Sequence, residues 1–396
     1  MKQKTIRLGR GKTESIKRFH PWIFSGAIAK IDSGTVEGDI VRVVDENEVP
    51  VCVGHYQIGS IAVRILSFSP TEIDDAFWEE KVAAALAVRR GLGLVGRDDH
   101  NIFRLVHGEG DGLPGLIVDI YGHTAVVQAH SVGMHHAREA IASALMKVCS
   151  DFLENVYYKS ENTLPFKANL NPTDSFLVQG SSAAESVAIE NGLRFHIDWL
   201  QGQKTGFFID QRENRALLER YAAGRRVLNM FCYTGGFSIY ALRGGALQVH
   251  SVDSSAKAIA LTEANATLNF PSDSRHEAIC ADAFRYLETS GSDYDLIVLD
   301  PPAFAKHKGA LQSALKGYTR LNAIAFEKIR PGGIIFTFSC SQAVNAAQFR
   351  LAVFTAAARS GRHVRILHQL HQPADHPVCI YHPEGEYLKG LVLEVD

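Results

Sequence analysis

The period of the hydrophobic pattern changes more than once along the chain. In residues 35–68 the stretches "TVEGDIVRVVDENEVPVCVGHY" and "IAVRILSF" alternate β-branched and polar positions, with Glu46-Asn47 as a turn. A period of two belongs to half-buried strands, so the first 70 residues read as a small all-β barrel or sandwich. Apolar positions then recur at three and four through "FWEEKVAAALAVRRGLGL", which predicts a helix capped by Asp74 or Asp75. Residues 102–190 return to strands ("NIFRLVHG", "GLIVDIYG", "TAVVQAHS", "NVYYKS") around one helix, "HHAREAIASALMKVC", a small α+β unit. Asn191-Gly192 in "VAIENGLRFHID" predicts a hairpin turn.

From about residue 210 strand and helix alternate. Asp210, with Glu213 three positions later, predicts a capping box for "QRENRALLERYAA". The runs "RRVLNMF", "QVHSVD", "HEAICAD", "YDLIVLD" and "GIIFTFSCS" are nearly continuous in apolar residues and lie between helical patterns; "VRILHQL" and "YLKGLVLEV" follow. Such strands predict a parallel, doubly wound α/β sheet covered on both faces. Ligands of these sheets sit at the carboxyl ends of the strands, which makes every strand-end residue a site candidate.

Charge narrows the partners. The 396 residues, 46% hydrophobic and 21% charged, carry a formal charge of −2, so affinity for a polyanion has to come from a local patch. Residues 1–30 supply one. Lys2, Lys4, Arg7, Arg10, Lys12, Lys17, Arg18 and Lys30 stand against the single acid Glu14, a local charge of +7. The N-terminus has no apolar segment of the secretory kind, and no run approaches the ~18 residues of a membrane span. Six cysteines without CxxC spacing argue against disulfides and structural zinc, and for a reducing cytoplasm. The histidines at 368, 371, 376 and 382 lack carboxylates at ligand spacing, so no metal is expected. His376, next to Pro377, is expected in a loop facing the substrate.

Two glycine strings are decoys. "GDGLPG" (110–115) matches GxGxxG, but a strand follows it and Asp111 would repel a phosphate; "GQKTG" (202–206) lacks the P-loop spacing. Neither NAD nor a nucleoside triphosphate is expected. "VLNMFCYTGGFSIYAL" (227–242) has the context they lack: a strand ending near Phe231, a Thr234-Gly235-Gly236 turn, then a helix. Glycines let backbone approach a ligand, and the helix start offers N–H groups to a carboxylate or phosphate. The next three strands end at Asp253, Asp282 and Asp300, the first of them placed to take ribose hydroxyls. In "LDPPAF" two prolines hold the chain extended after Asp300, leaving Phe304 near a cleft where a base could stack. Cys340, in "FTFSCS", is core filler or a thiol placed for chemistry, and its own neighbours leave both readings open.

Together, "KTGFFIDQR" (204–212), "FCYTGGFS", "DPPAF", "FSCS" and "ADHPVCIYHPEGEYLKG" resemble the ribosomal RNA large subunit methyltransferase I family over essentially the whole length. "RFHPWIFSGAI" (18–28) is similar to the opening of that family's PUA domain. The resemblance implies a PUA-like RNA-binding domain (1–70), an α+β linker domain (71–185) and a Rossmann-like class I methyltransferase domain (186–396). It implies S-adenosylmethionine as cofactor and carbon 5 of a cytosine in 23S rRNA, or in a large-subunit precursor, as target. A homodimer without membrane contact is a further expectation. The chain departs from the general class I pattern, since Asn229 and Tyr233-Thr234-Gly235-Gly236 replace acid-x-Gly-x-Gly-x-Gly. Lys204, Asp210, Gln211, Arg212, Phe231, Tyr233, Thr234, Gly235, Gly236, Asp253, Asp282, Asp300 and Pro301 would surround the cofactor. Asp253 would take the ribose and Asp282 would face the adenine. Cys340 would attack the cytosine ring while Asp300 holds it, and Cys232 would be packing. Arg10, Lys12, Arg18, Phe304 and His376 would contact RNA. Two other readings stay open: a methyltransferase acting on an adenine or guanine amino group through "DPPAF", and a non-catalytic rRNA-binding assembly factor.

Overall fold

A computed structural model describes residues 4–165, 170–180, 187–305 and 307–396. Lys2 of the basic segment and the domain boundary expected at 185–186 lie outside these residues. The chain forms two compact units: Met1–Gly192 with Ile197–Phe207 and Ala374–Gly385, and Leu193–His196 with Phe208–Pro373 and Glu386–Asp396.

In the first unit, strands Trp22–Phe24, Ile61–Ser67, Pro50–Tyr56, Ile40–Val44, Lys4–Leu8 and Ile28–Ile31 make a six-stranded sheet in that order. Alternate positions Ile6, Leu8, Val41, Val43, Val63 and Ile65 form its core, as the period of two requires. Asp74 caps the helix Asp75–Gly91 by accepting from the Phe77 N–H at 2.9 Å. This helix covers a five-stranded sheet in the order Ser175–Val178, Asn155–Tyr158, Thr124–Ala129, Leu116–Tyr121, Ile102–His107. Arg89 is fully buried and grips Asp111 with both Nη atoms, at 2.5 and 2.8 Å. The decoy "GDGLPG" is a tight turn, and a Cβ on Gly110 would overlap the carbonyl of Pro377. Glycine is there so that segment 374–385 can come close. Asn191 and Gly192 both have positive φ, 49° and 80°, as a two-residue hairpin turn demands.

The second unit is built on a seven-stranded sheet. Its strands, β1 to β7 in chain order, are Arg226–Met230, Gln248–Asp253, His276–Cys280, Tyr294–Leu299, Ile329–Ser339, Val364–Leu370 and Lys389–Val395. They lie side by side as β3-β2-β1-β4-β5-β7-β6. β1 to β5 pair parallel, whereas β7 runs antiparallel to both β5 and β6. The expectation of a parallel sheet therefore fails at β7, which follows β6 without the crossover helix that a parallel strand needs. Helices α1 to α6 are Arg212–Ala222, Gly236–Arg243, Ala256–Asn269, Ala283–Thr289, Leu311–Lys328 and Ala346–Ser360. Leu228, Met230, Ile297, Leu299, Tyr318, Phe326 and Ile335 fill the core between sheet and helices. Strand order reverses between β1 and β4, so the ligand crevice belongs at their carboxyl ends. Among the described residues no helix is long and apolar enough to cross a membrane.

Candidate active site

The turn from β1 into α2 is strained and braced. Phe231 and Tyr233 sit at φ 59° and 48°, a region that costs a bulky residue about 1–3 kcal/mol. Tyr233 donates its N–H to Asp253 Oδ2 at 3.0 Å, while Thr262 Oγ1 donates to the Tyr233 carbonyl at 2.8 Å. Asn265 donates to the carbonyl of buried Thr234 at 2.9 Å. Gly235, at φ 79°, is obligatory, since a Cβ would lie 2.6 Å from Thr262 Cγ2. With its carbonyls tied down, the turn directs the start of α2, from Gly236, into the crevice. Beneath it Asn229 Nδ2 donates to Ser238 Oγ at 2.9 Å, whereas Asn229 Oδ1 is buried with no hydrogen-bond partner.

The acids at the next strand ends differ from one another. Asp253 is half-buried and accepts from two backbone amides, Tyr233 and Ser255, at 3.0 and 2.9 Å. Asp282 is exposed and caps α4, with Oδ1 taking the Arg285 N–H at 2.9 Å. Capping of α4 is thus part of what Asp282 does. Asp300 accepts from Gln211 Nε2 at 3.1 Å, and Gln211 Oε1 takes Asn214 Nδ2 at 2.6 Å.

Asp210 does not form the expected capping box. It lies within a 3-10 turn, Ile209–Gln211, ahead of α1, so its carboxylate meets Tyr387 OH at 2.7 Å instead. Arg212, nearly fully buried, opens α1 and pairs with Glu213 at 3.1 Å. Phe304 turns a ring face to Tyr318, 4.7 Å away, and packs on the core beside Phe284.

Cys340 is the first residue beyond β5. It is half-buried, with Sγ 4.0 Å from the carbonyl of Pro301, so the ends of β4 and β5 meet there. Its flanking serines are pinned: Ser339 Oγ donates to Tyr318 OH at 2.9 Å, and Ser341 Oγ lies 3.0 Å from the same hydroxyl. Lys389, opposite Ser339 across β5 and β7, reaches past the cysteine to donate to the Ser341 and Tyr387 carbonyls, both at 2.7 Å. Burial pulls its ammonium down to about 8, and the charge of Cys340 pulls the other way. The sequence reading missed Lys389. It also passed over Asn214, whose side chain seats Gln211.

Five of the expected residues lie in the first unit. Arg10, Lys12 and Arg18 are exposed there. Lys204, at φ 50°, follows the 197–203 stretch. His376 is 2% exposed and packs against His107 at 5.0 Å, with Nδ1 3.2 Å from Asp375 Oδ1. Its burial corrects the expectation of a loop histidine presented to RNA.

The crevice suits S-adenosylmethionine. A helix start with backbone N–H groups fits a carboxylate, an acid at the end of β2 fits a ribose, and the unsatisfied Asn229 Oδ1 leaves an acceptor for a donor group. Residues 172–388 match the family model of S-adenosylmethionine-dependent methyltransferases, and residues 6–68 match a PUA-like domain. A ribosomal RNA large subunit methyltransferase I of Klebsiella pneumoniae (strain 342) is 37% identical over 393 residues, covering 98% of this chain and 97% of the relative. Its namesake from Tolumonas auensis is 39% identical over 399 residues, covering 98% of each chain. A proposed methyltransferase solved in complex with SAH shares the fold, with a TM-score of 0.83 and 22% identity over 99% of this chain and 100% of that one. On its motifs, its sheet order and these relatives, the chain belongs to the ribosomal RNA large subunit methyltransferase I family and depends on S-adenosylmethionine.

Proposed function

We propose that the protein methylates carbon 5 of a cytosine in 23S ribosomal RNA, with Cys340 as a covalent nucleophile. Residues 1–70 bind RNA in this reading, 71–185 link, and 186–396 carry the chemistry. The relatives' shared name and the PUA-like match support ribosomal RNA as substrate. The setting of Cys340 supports the chemistry: a half-buried thiol at the end of β5, beside the end of β4 and coupled to the Lys389 ammonium.

S-adenosylmethionine supplies an electrophilic methyl group when bound. Carbon 5 of cytosine is too weak a nucleophile to take it unaided. The Cys340 thiolate adds to carbon 6, forming the Sγ–C6 bond and making carbon 5 enamine-like. Once carbon 5 carries the methyl group, its proton leaves, the Sγ–C6 bond breaks and the ring is restored. A nearby cation favours the thiolate, the reactive form, and Lys389 provides it. Asp300, held by Gln211, accepts from the amino edge of the ring. A cytosine in folded RNA has to leave its stack to reach both groups, at a cost of a few kcal/mol.

RNA with 5-fluorocytosine at the target tests this reading, because fluorine cannot leave as the proton does. The wild-type protein should form an RNA adduct that survives denaturing electrophoresis, and Cys340→Ala should form none. Methylation retained by Cys340→Ala would instead point to an amino-group methyltransferase.

A further inference from the structure

One surface of the first unit takes no part in this chemistry. Phe19, Phe24, Phe68 and Tyr381 are 50%, 47%, 37% and 49% exposed, and Ile380, beside Tyr381, is 85% exposed. Their rings fall into two groups. Phe19 lies 5.3 Å from Phe68 and 5.5 Å from Tyr381, while His20 lies 5.8 Å from both Phe24 and His382. Trp22, on the same strand face as Phe24, sits 4.2 Å from His382. It is anchored from behind, its Nε1–H donating to Glu109 at 2.8 Å and the Arg64 guanidinium lying 5.3 Å over its ring.

The fold accepts two costs to present Phe19. An aromatic ring is left half in water, and its backbone is held at φ 58°, where a bulky residue is an outlier. The turn that imposes this φ is fixed from beneath, with the Phe19 N–H donating to the Ile16 carbonyl at 2.9 Å and the His20 N–H to the Ser15 carbonyl at 3.0 Å. The positive φ closes helix Glu14–Lys17 with a left-handed cap, and Phe68 and Tyr381 cover part of the ring; the half left in water is the part a ligand can cover. The neighbours indicate which ligand. Lys17 and Arg18 directly precede Phe19, Arg10 and Lys12 stand just upstream, and all four are exposed. Separate tilted rings beside cations do not make the continuous aliphatic groove that a protein helix needs. Nucleobases stack on such rings, and their phosphates are drawn to the cations.

We propose that Phe19 and Tyr381, backed by Phe68, form a stacking platform for unpaired bases of the RNA substrate, with Lys17 and Arg18 on the adjoining phosphates. The proposal rests on the RNA reading above but concerns a surface that performs no chemistry. It predicts that the protein engages single-stranded RNA at this platform whatever the sequence at the methylated site.

Fluorescence anisotropy on the full-length protein tests it, using a labelled unstructured 12-nucleotide RNA, a blunt RNA duplex and no methyl donor. Phe19→Gly and Tyr381→Ala should each weaken single-strand binding about 5- to 100-fold, the usual loss for one stacked base, and leave duplex binding unchanged. Neither should alter the slope of log affinity against log salt, whereas Lys17→Ala and Arg18→Ala should each flatten it by about 0.7. Phe19→Gly also relieves the positive φ, so its melting temperature should hold or rise while RNA affinity falls. A purely structural ring would move both together. Unchanged single-strand affinity, or equal losses on single strand and duplex, would overturn the proposal. So would wild-type self-association in sedimentation that Phe19→Gly abolishes, since the cluster would then be a contact between copies. Failure of the cytosine-methylation reading leaves these binding results untouched, and failure of the platform leaves the 5-fluorocytosine adduct intact.

Discussion

Three strands of one sheet end at or near a cysteine; Cys280 closes β3, and the thiols that follow β1 and β5 have different surroundings. Cys232 stands two residues beyond β1, buried, with Sγ 3.7 Å from Thr262 Oγ1, and burial pushes its thiol up to about 12. Cys340 stands one residue beyond β5, half-buried, between the Pro301 carbonyl and Lys389. Both occupy the place where this kind of sheet keeps its chemistry. Position at a strand end is therefore insufficient. A nucleophilic thiol also needs a route to solvent and a cation within reach, and of these two ends that of β5 offers both, which supports the role proposed for Cys340.

The largest effect separates the two cysteines directly. Cys340→Ala should reduce rRNA methylation to background in a tritiated-methyl assay. Cys232→Ala should keep activity within about threefold and lose about 1 kcal/mol of stability, the usual scale for a small core deletion. Equal losses of activity would end the distinction. Thiol chemistry gives the next measure. At pH 7 iodoacetamide should label Cys340 at least about 100-fold faster than Cys232, read by peptide mass spectrometry, because the raised thiol is almost never ionised.

Asp300 and Asp253 extend the contrast to the acids. Asp300→Ala should slow methylation about 100-fold, within the range for a group that assists proton or charge transfer, without abolishing cofactor binding by calorimetry. Asp253→Ala should do the reverse, weakening the cofactor and releasing the Tyr233 N–H that its carboxylate holds.

The smallest effect concerns Lys389. Its folded value of about 8 lies below the ordinary 10.5, so between those limits the unfolded chain binds the extra proton. This lysine therefore costs stability below pH 8, and the cost fades as pH rises towards 10.5. Denaturant titrations from pH 7 to 10 should show Lys389→Met more stable than wild type at pH 7, with the gap closing at higher pH. The same variant should label more slowly at Cys340. Labelling at the wild-type rate would separate the lysine from the thiol.

The β1–β5 core was readable because a buried parallel strand leaves a nearly continuous apolar run, and the strand ends followed from those runs. Lys389 was not. It belongs to "YLKGLVLEV", an unremarkable strand, and matters only because β7 pairs antiparallel with β5 so that Lys389 falls opposite Ser339. Such a register is a long-range fact that no local pattern carries. Asp210 misled for a nearer reason. A cap and a residue one step into a 3-10 turn have the same sequence signature, and Tyr387, far along the chain, decides between them. His376 is in a loop, as its place before a proline suggests, yet that loop is packed so that the ring lies buried against His107 instead of facing outward.

Segment 374–385, received by Gly110, has a consequence for the order of assembly. Arg89 donates to the Asp375 carbonyl at 2.8 Å, and the Arg104 N–H donates to the Asp375 carboxylate at 3.0 Å. A chain emerging from the ribosome makes Arg89 and Arg104 long before Asp375. Until then the Arg89 guanidinium, already held by Asp111 and the Arg104 carbonyl, is one acceptor short, and the Arg104 amide lacks the Asp375 carboxylate. The first unit to be started is thus finished only after most of the second has been made, and a nascent or truncated chain that stops before residue 374 leaves its N-terminal half without these contacts.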